Sequence, residues 1–216
     1  MASEVDIANL ALSHLGDDAT IASLDPPEGS AQAEHCARFY PMARDSLLEM
    51  HSWRFATRRA TLAELENTWP QWDHAYAKPA DCLRIISVID PEVGDDLQVL
   101  GVKSVKQFTV EINDDLAEVI LTNQEDAVVR YVARTTDTTK FPPLFVMALS
   151  WHLASMIAGP VIKGDAGAAE AKRCAQMAQA WLNRALASDA DHRKVTPLHV
   201  PEFIASRGVN LDGWSR

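Results

Sequence analysis

The stretch 31–59, AQAEHCARFYPMARDSLLEMHSWRFATRR, decides how the rest of the chain is read. Ala33, Cys36, Ala37, Tyr40, Ala43, Leu47 and Met50 recur at steps of three and four, the spacing that lines residues along one face of an α-helix. Arg38, Asp45 and Glu49 fall on other faces, where they stay wet. Pro41 interrupts the pattern: mid-helix it removes a backbone donor and clashes with the carbonyl four residues back, at about 3 kcal/mol. The expectation is a kink near Tyr40, or two helices meeting there. Beyond His51 the period shortens. Trp53 and Phe55 then fall on one side and Arg54 on the other, as in an extended segment.

Working outward, Ser3 is placed to cap a helix over about 3–15, with Val5, Ala8, Leu12 and Leu15 as its stripe and Gly16 as its stop. Residues 17–29, with Pro26-Pro27 between Asp25 and Glu28, read as loop. Downstream, 61–66 reads as a short turn, and 76–79 as extended because Lys78 precedes a proline. From Cys82 the pattern turns to β. Residues 83–89 are rich in branched side chains, 107–112 and 117–122 flank Asn113-Asp114-Asp115 as a hairpin, and 127–134 supplies another strand. Helical character returns at 144–158, apolar nearly all round, as in a helix covered by neighbours on every side. Asp165 is placed to cap a further helix over about 166–188. There Ala171, Cys174, Ala178, Trp181 and Ala185 form a near-heptad stripe of small residues, with Trp181 as its one large knob.

The fold class is therefore α+β. A mainly helical bundle comes from 1–79 and 140–189, a small antiparallel β insertion from 80–139, and an extended C-terminal tail from 190–216. The tail has no sustained period and contains Pro197, Pro201, Gly208 and Gly213. It nevertheless carries Leu198, Val200, Phe203, Ile204, Val209, Leu211 and Trp214. A free disordered tail rarely needs that much apolar surface, so this one is expected to dock onto another chain.

The chain's 216 residues suffice for a substantial core, and 47% hydrophobic with 23% charged residues is ordinary for a soluble globular protein. Its net charge of −10 argues against a protein that grips phosphates, since that affinity comes from Lys and Arg displacing counterions. Cys36, Cys82 and Cys174 are far apart and form no C-x-x-C pair, which suits small buried hydrophobes in a reducing compartment. The N-terminus lacks the basic and then apolar pattern of a signal peptide. Between Lys140 and Lys163 lie 22 residues without Asp, Glu, Lys or Arg. Pro142-Pro143 and Gly159-Pro160 cut the helical part of this run to about 22 Å, against about 30 Å for a hydrocarbon core. With Ser150, His152 and Ser155 inside it, the run reads as a buried helix and not as a membrane span.

Motifs for chemistry are missing from the sequence. There is no H-E-x-x-H, no pairing of His or Cys at zinc-ligand spacing, no G-x-S-x-G and no phosphate loop. Asp114-Asp115 and Asp95-Asp96 are adjacent carboxylates in turns, ordinarily solvated faces and not a glycosidase pair. No catalytic residue, cofactor or metal ligand is assigned. Two groups stand out instead. Arg38, Arg44, Arg54, Arg58 and Arg59 concentrate positive charge in an acidic chain. Salt bridges within the subunit are one account. The other is a partner contact through Arg54, Arg58 and Arg59, for which arginine's planar fork is suited. Of the six tryptophans, Trp69, Trp72 and Trp214 lie in irregular segments and suit interface anchors. With Leu198, Val200, Phe203 and Ile204 they complete the candidate interface.

The order Cys36, Tyr40, Arg44-Asp45, Leu48, then Ser52-Trp53-Arg54-Phe55-Ala56 resembles the tail tubular protein A family of short-tailed bacteriophages, the head-to-tail adaptors. ANLALSHLGD (8–17) is similar to that family's first helix. Tyr76, Pro79, Asp81 and Arg84 resemble its Y-x-x-P-x-D turn, and YVARTTDTTKFPPLF (131–145) its lead into the late helices. With gaps, the similarity runs from about residue 5 to 188. It implies a structural virion protein and not an enzyme. The resemblance implies a homo-oligomer, a ring of twelve subunits in the tail or neck, assembled in the host cytoplasm. The portal protein would sit above it and the tail nozzle, a tubular protein B-like ring, below. DNA would pass through the channel without specific binding, and carboxylates near the lumen would repel its phosphates. The alternatives are a cytosolic enzyme that no motif announces and a membrane-active lysis protein resting on 141–162.

Overall fold

The computed structural model describes residues 2–92 and 105–191. The first helix, α1 (Glu4–His14), starts where the sequence places its cap. Ser3 Oγ accepts from the Asp6 N–H at 3.1 Å while Asp6 Oδ2 accepts from the Ser3 N–H at 2.8 Å. This reciprocal pair satisfies two of the donors that a helix start leaves open. Gly16, at φ +73°, ends the helix in a conformation that glycine adopts without strain.

The second helix, α2 (Ala31–Met50), corrects one expectation: it is a single helix that runs through Pro41. Pro41 sits on the exposed face, while Ala33, Cys36, Tyr40, Ala43, Leu47 and Leu48 are buried on the other. That burial, about 1.5–3 kcal/mol for each large side chain, outweighs the local cost of the proline. Met50, expected on the buried stripe, is exposed, and Arg44 is buried in its place. After His51 the chain turns, with the Ala56 N–H donating to the Trp53 carbonyl at 3.1 Å, so 51–56 is not the extended segment expected.

Among the described residues eight strands follow: β1 (Thr57–Thr61), β2 (Glu64–Leu65), β3 (His74–Ala77), β4 (Cys82–Ile89), β5 (Val105–Lys106), β6 (Phe108–Ile112), β7 (Glu118–Thr122) and β8 (Val128–Ala133). They form two antiparallel four-stranded sheets, in the orders β1-β8-β4-β5 and β2-β3-β7-β6. The β region therefore begins at Thr57, within the span assigned above to helices, and the turn expected at 61–66 holds β2.

Alternation along each strand sets the layering. In β8, Val132 faces the helices while Val129, Tyr131 and Ala133 face the second sheet. In β7, Ile120 meets the first sheet while Val119 and Leu121 face outward beneath Trp69 and Trp72. The order is helices, first sheet, second sheet and a tryptophan-bearing loop. The class is α+β.

Two more helices complete the helical layer, α3 (Pro143–Ile162) and α4 (Gly164–Asp191). None of the residues 144–158 is exposed, because α4, α1 and α2 all pack on α3. The expected break at Gly159-Pro160 does not occur. The Lys163 N–H donates to the Gly159 carbonyl at 2.9 Å, and the chain reverses only at Lys163-Gly164, each at φ +62°. At 20 residues, or about 30 Å, α3 is long and apolar enough to cross a membrane. The helix is therefore longer than the roughly 22 Å expected, and three neighbouring helices cover it. Asp165 lies in the first turn of α4, not at its cap. On the stripe, Cys174, Ala178 and Ala185 are buried as expected, but Leu182 is the buried large residue and Trp181 is half-buried.

The small residues do bring α3 and α4 close. A Cβ added at Gly167 would lie 3.1 Å from the Ala158 carbonyl oxygen and 3.5 Å from Gly159 Cα, both backbone atoms that cannot rotate away. Gly167→Leu is accordingly expected to lower stability by about 1–3 kcal/mol through overpacking. Urea unfolding monitored by circular dichroism measures this; an unchanged midpoint would show the helices to be farther apart.

Two half-buried histidines tie this layer together. His14 stacks on Trp151, with centroids 3.6 Å apart and planes 4° from parallel, and its Nε2 lies 3.0 Å from Ser150 Oγ. His152 Nε2 lies 3.1 Å from Ser46 Oγ, joining α3 to α2. Burial lowers the pKa of both, and the Arg173 guanidinium lowers that of His14 further. Protons therefore bind the unfolded chain more readily. The stability these sites confer is complete above about pH 6.5 and declines as pH falls through that value. The urea midpoint of the parent should drop between pH 7.5 and 5.5, and that of a His14→Gln/His152→Gln variant should drop less. Equal drops in the two proteins would remove the histidines as the cause.

Candidate assembly interface

Arg44, Asp45, Ser52, Asp81, Arg84 and Tyr131 lie where the helices join the first sheet. Arg44 Nε donates to Asp45 Oδ1 at 2.8 Å, and Arg44 Nη1 lies 3.8 Å from Glu4 Oε1. Asp45 Oδ2 accepts from Arg134 Nε at 2.9 Å, which links α2 to the segment after β8. Arg84, in β4, donates to Ser52 Oγ at 2.9 Å. Asp81 accepts from Arg58 at 2.9 Å and from the Tyr131 hydroxyl at 3.0 Å, and its own carbonyl accepts from the Arg134 N–H at 2.7 Å. Arg58 and Tyr131 stand directly opposite each other across the β1–β8 ladder, so a single carboxylate serves both. This constellation welds the layers together. Arg44 is buried, where an unpaired cation is costly, so the Asp45 pair has structural work to do.

Among the described residues, the candidate interface residues Arg54, Arg58, Arg59, Trp69 and Trp72 do not converge on one patch. Arg54 is exposed at the end of α2, beside Asp189, whose Oδ1 accepts from the Arg54 N–H at 3.3 Å. Arg58 and Arg59 are exposed on β1, an edge strand of the first sheet. Arg59 is paired in the ladder with Arg130. Trp69 and Trp72 lie in another layer, half-buried against the outer face of the second sheet, where Trp69 Nε1 donates to Glu111 Oε2 at 3.0 Å. Leu198, Val200, Phe203, Ile204 and Trp214 lie outside the described residues, as does Asp95-Asp96.

Two further surfaces stand out, one by its lack of charge and the other by exposed aliphatic side chains. The outer face of α4 presents Ala175, Gln176, Gln179, Ala180, Asn183 and Ala187, all exposed. Between Cys174 and Ser188 the only charged side chain is Arg184, and its guanidinium lies 4.6 Å from the centroid of Trp181. That gap in charge was visible in the sequence. The second surface is the β6–β7 hairpin, with Val110 38%, Ile112 64% and Leu116 85% exposed. Leu116 occupies φ +62°, a position more usual for glycine or asparagine, so an exposed leucine is held there in a strained turn.

Cavities flank the same hairpin. One, of about 410 Å³, is lined by Leu65, Lys78, Pro79, Cys82 and Glu118; another, of about 270 Å³, by Glu66, Trp69, Asn113, Asp114 and Asp115. Asp114 and Asp115 are exposed at the hairpin tip. Among the described residues, no group of three or more His, Cys, Asp or Glu side chains is placed to hold a metal ion. All three cysteines are free and buried, and burial pushes each thiol up to about 11, so they are neutral core residues at physiological pH. No family model matches the chain, and no curated protein matches it either.

Proposed function

We propose that this chain is a structural subunit of a bacteriophage neck: a head-to-tail adaptor that closes into a ring of about twelve copies between the portal and the tail nozzle. The observation that carries the reading is a pair of unlike surfaces on one subunit, the outer face of α4, where Arg184 is the one charge, and the acidic β6–β7 hairpin, where Ile112 and Leu116 stand exposed among Glu111, Asp114, Asp115 and Glu118. Two different faces suit the heterologous contact that closes a ring. The ordered resemblance from Cys36 to Ala56, continued at Tyr76 to Arg84 and at 131–145, supports the same reading. The acidic balance of −10 suits a channel through which DNA slides without sticking. The apolar tail, 190–216, is the segment expected to engage the portal.

The test is the mass of the purified protein alone and mixed with a portal ring, measured by native mass spectrometry and electron microscopy. A closed ring seated on the portal is the expected product. A chain that ignores the portal and forms no ring at micromolar concentration would falsify the reading.

A further inference from the structure

The outer face of α4 and the β6–β7 hairpin carry opposite charge. On α4, Arg184 is exposed and is the one charged side chain between Cys174 and Ser188. Its guanidinium lies 4.6 Å from the centroid of the Trp181 ring and meets no carboxylate among the described residues. In the hairpin, residues 111–118 hold four carboxylates and neither Lys nor Arg. Glu111 accepts from the Trp69 indole N–H at 3.0 Å, and Glu118 from Lys78 Nζ at 2.8 Å. Asp114 and Asp115 at the tip, and Glu66 just after β2, are exposed and meet no cation among the described residues. With Trp69 and Asn113, these three line the cavity of about 270 Å³.

We propose that Arg184 of one copy enters this cavity on a second copy, between Glu66, Asp114 and Asp115 and against Trp69. Charge selects the occupant. Three carboxylates without a cation, beside an indole, suit a planar cation that donates to two carboxylates at once and rests on a ring. Layering selects the second copy. Helix α4 packs in the helical layer and the hairpin belongs to the second sheet, with the first sheet between them, so Arg184 does not reach the cavity of its own subunit. The surroundings fit as well. Ala180 and Ala187 lie four residues before Arg184 and three after it, on the same helix face and exposed, so the cation is flanked by small side chains. Leu116, 85% exposed beside Asp115, can then come down on those alanines. The contact joins two different faces and therefore repeats head to tail. It rests on the ring reading and names what each face of the seam holds.

Charge reversal tests this with the full-length protein and a portal ring, read by electron microscopy and native mass spectrometry. Arg184→Glu sets a carboxylate against the acidic cavity, and Asp114→Lys/Asp115→Lys sets two cations against Arg184. Each variant alone should need about a hundredfold more protein to form rings, because like charges then face each other in every contact. Their urea midpoints should match the parent's, since all three positions are exposed. An equimolar mixture should assemble again with the variants alternating, because every α4 then meets a hairpin of opposite charge. Should a reversal unfold the subunit, the neutral changes Arg184→Gln and Asp114→Asn/Asp115→Asn take its place, each with an expected loss of about tenfold. Rings from either variant alone at the parent's concentration overturn the proposal and leave the ring reading standing. A mixture of folded reversal variants that stays unassembled also overturns it, by sending Arg184 and the hairpin to different partners. A parent that forms no ring ends the ring reading, and this contact with it.

Discussion

Trp53→Ala is expected to destabilise the subunit by about 3–5 kcal/mol, the range for deleting a large aromatic from a packed core. Trp53 is 1% exposed and sits where α2, α3 and the first sheet meet. Its ring packs edge-on against Phe145 at 5.1 Å and against His51 at 4.9 Å, contacts of the geometry that aromatic quadrupoles favour. Its indole N–H donates to the Leu47 carbonyl at 2.8 Å. Leu47 lies in the last turn of α2, so this carbonyl is one of the four that a helix end leaves without a backbone donor. Alanine would open a cavity and orphan a buried acceptor together. Trp53→Phe separates the two effects: it keeps an aromatic ring and loses the donor, at about 1–3 kcal/mol. With domain stabilities of about 5–15 kcal/mol, the alanine variant should sit near the edge of unfolding. Urea midpoints of the two variants measure both terms. A loss below about 1 kcal/mol for Trp53→Ala would mean that the junction is held by something else.

The helix ends were legible because their signals are local. Ser3 and Asp6 lie three residues apart, as a capping box requires, and Gly16 adopts the positive φ that its place after the helix suggests. The strands from Cys82 onward were legible because branched residues and the Asn113 turn mark them. By contrast, β1 reads Thr-Arg-Arg-Ala-Thr and shows no apolar alternation. It is an edge strand whose pairing with β8 is decided by long-range contacts, and edge strands tolerate charge because one side stays open to water. The strand β2, two residues long, leaves no periodic trace at all.

In both α2 and α3 a local proline cost of about 3 kcal/mol is opposed by burial that no local pattern displays. In α2 the proline faces outward and the apolar stripe is intact behind it. In α3 the Gly159–Lys163 backbone bond carries the helix past Pro160. The arginines divide similarly. Arg44 and Arg58 are taken up by Asp45 and Asp81, partners 1 and 23 residues away, and only the nearer pairing can be read from the chain.

Ala180→Glu should leave the free subunit as stable as the parent and lower ring assembly by more than a hundredfold. Ala180 is exposed mid-way along the outer face of α4, between Gln176 and Asn183. In the free subunit the change is nearly neutral: glutamate is a good helix former, and Arg184 lies four residues on, a pairing that favours an isolated helix by about 0.2–0.5 kcal/mol. In the proposed ring, with the outer face of α4 as one side of the seam, the same position would recur in every contact, and each would bury a carboxylate. Burying an ion without a designed partner costs several kcal/mol, and about 1.4 kcal/mol already corresponds to a tenfold change in a contact's equilibrium constant. Because closure needs every seam at once, the loss multiplies around the circle. Ala180→Ser changes the same position without charge and should assemble normally. Unfolding curves for the free variants and particle counts by electron microscopy with the portal separate folding from assembly. Rings formed by Ala180→Glu at the parent's concentration would exclude the outer face of α4 as a seam and leave the β6–β7 rim to account for both sides of the contact, which a heterologous ring does not allow.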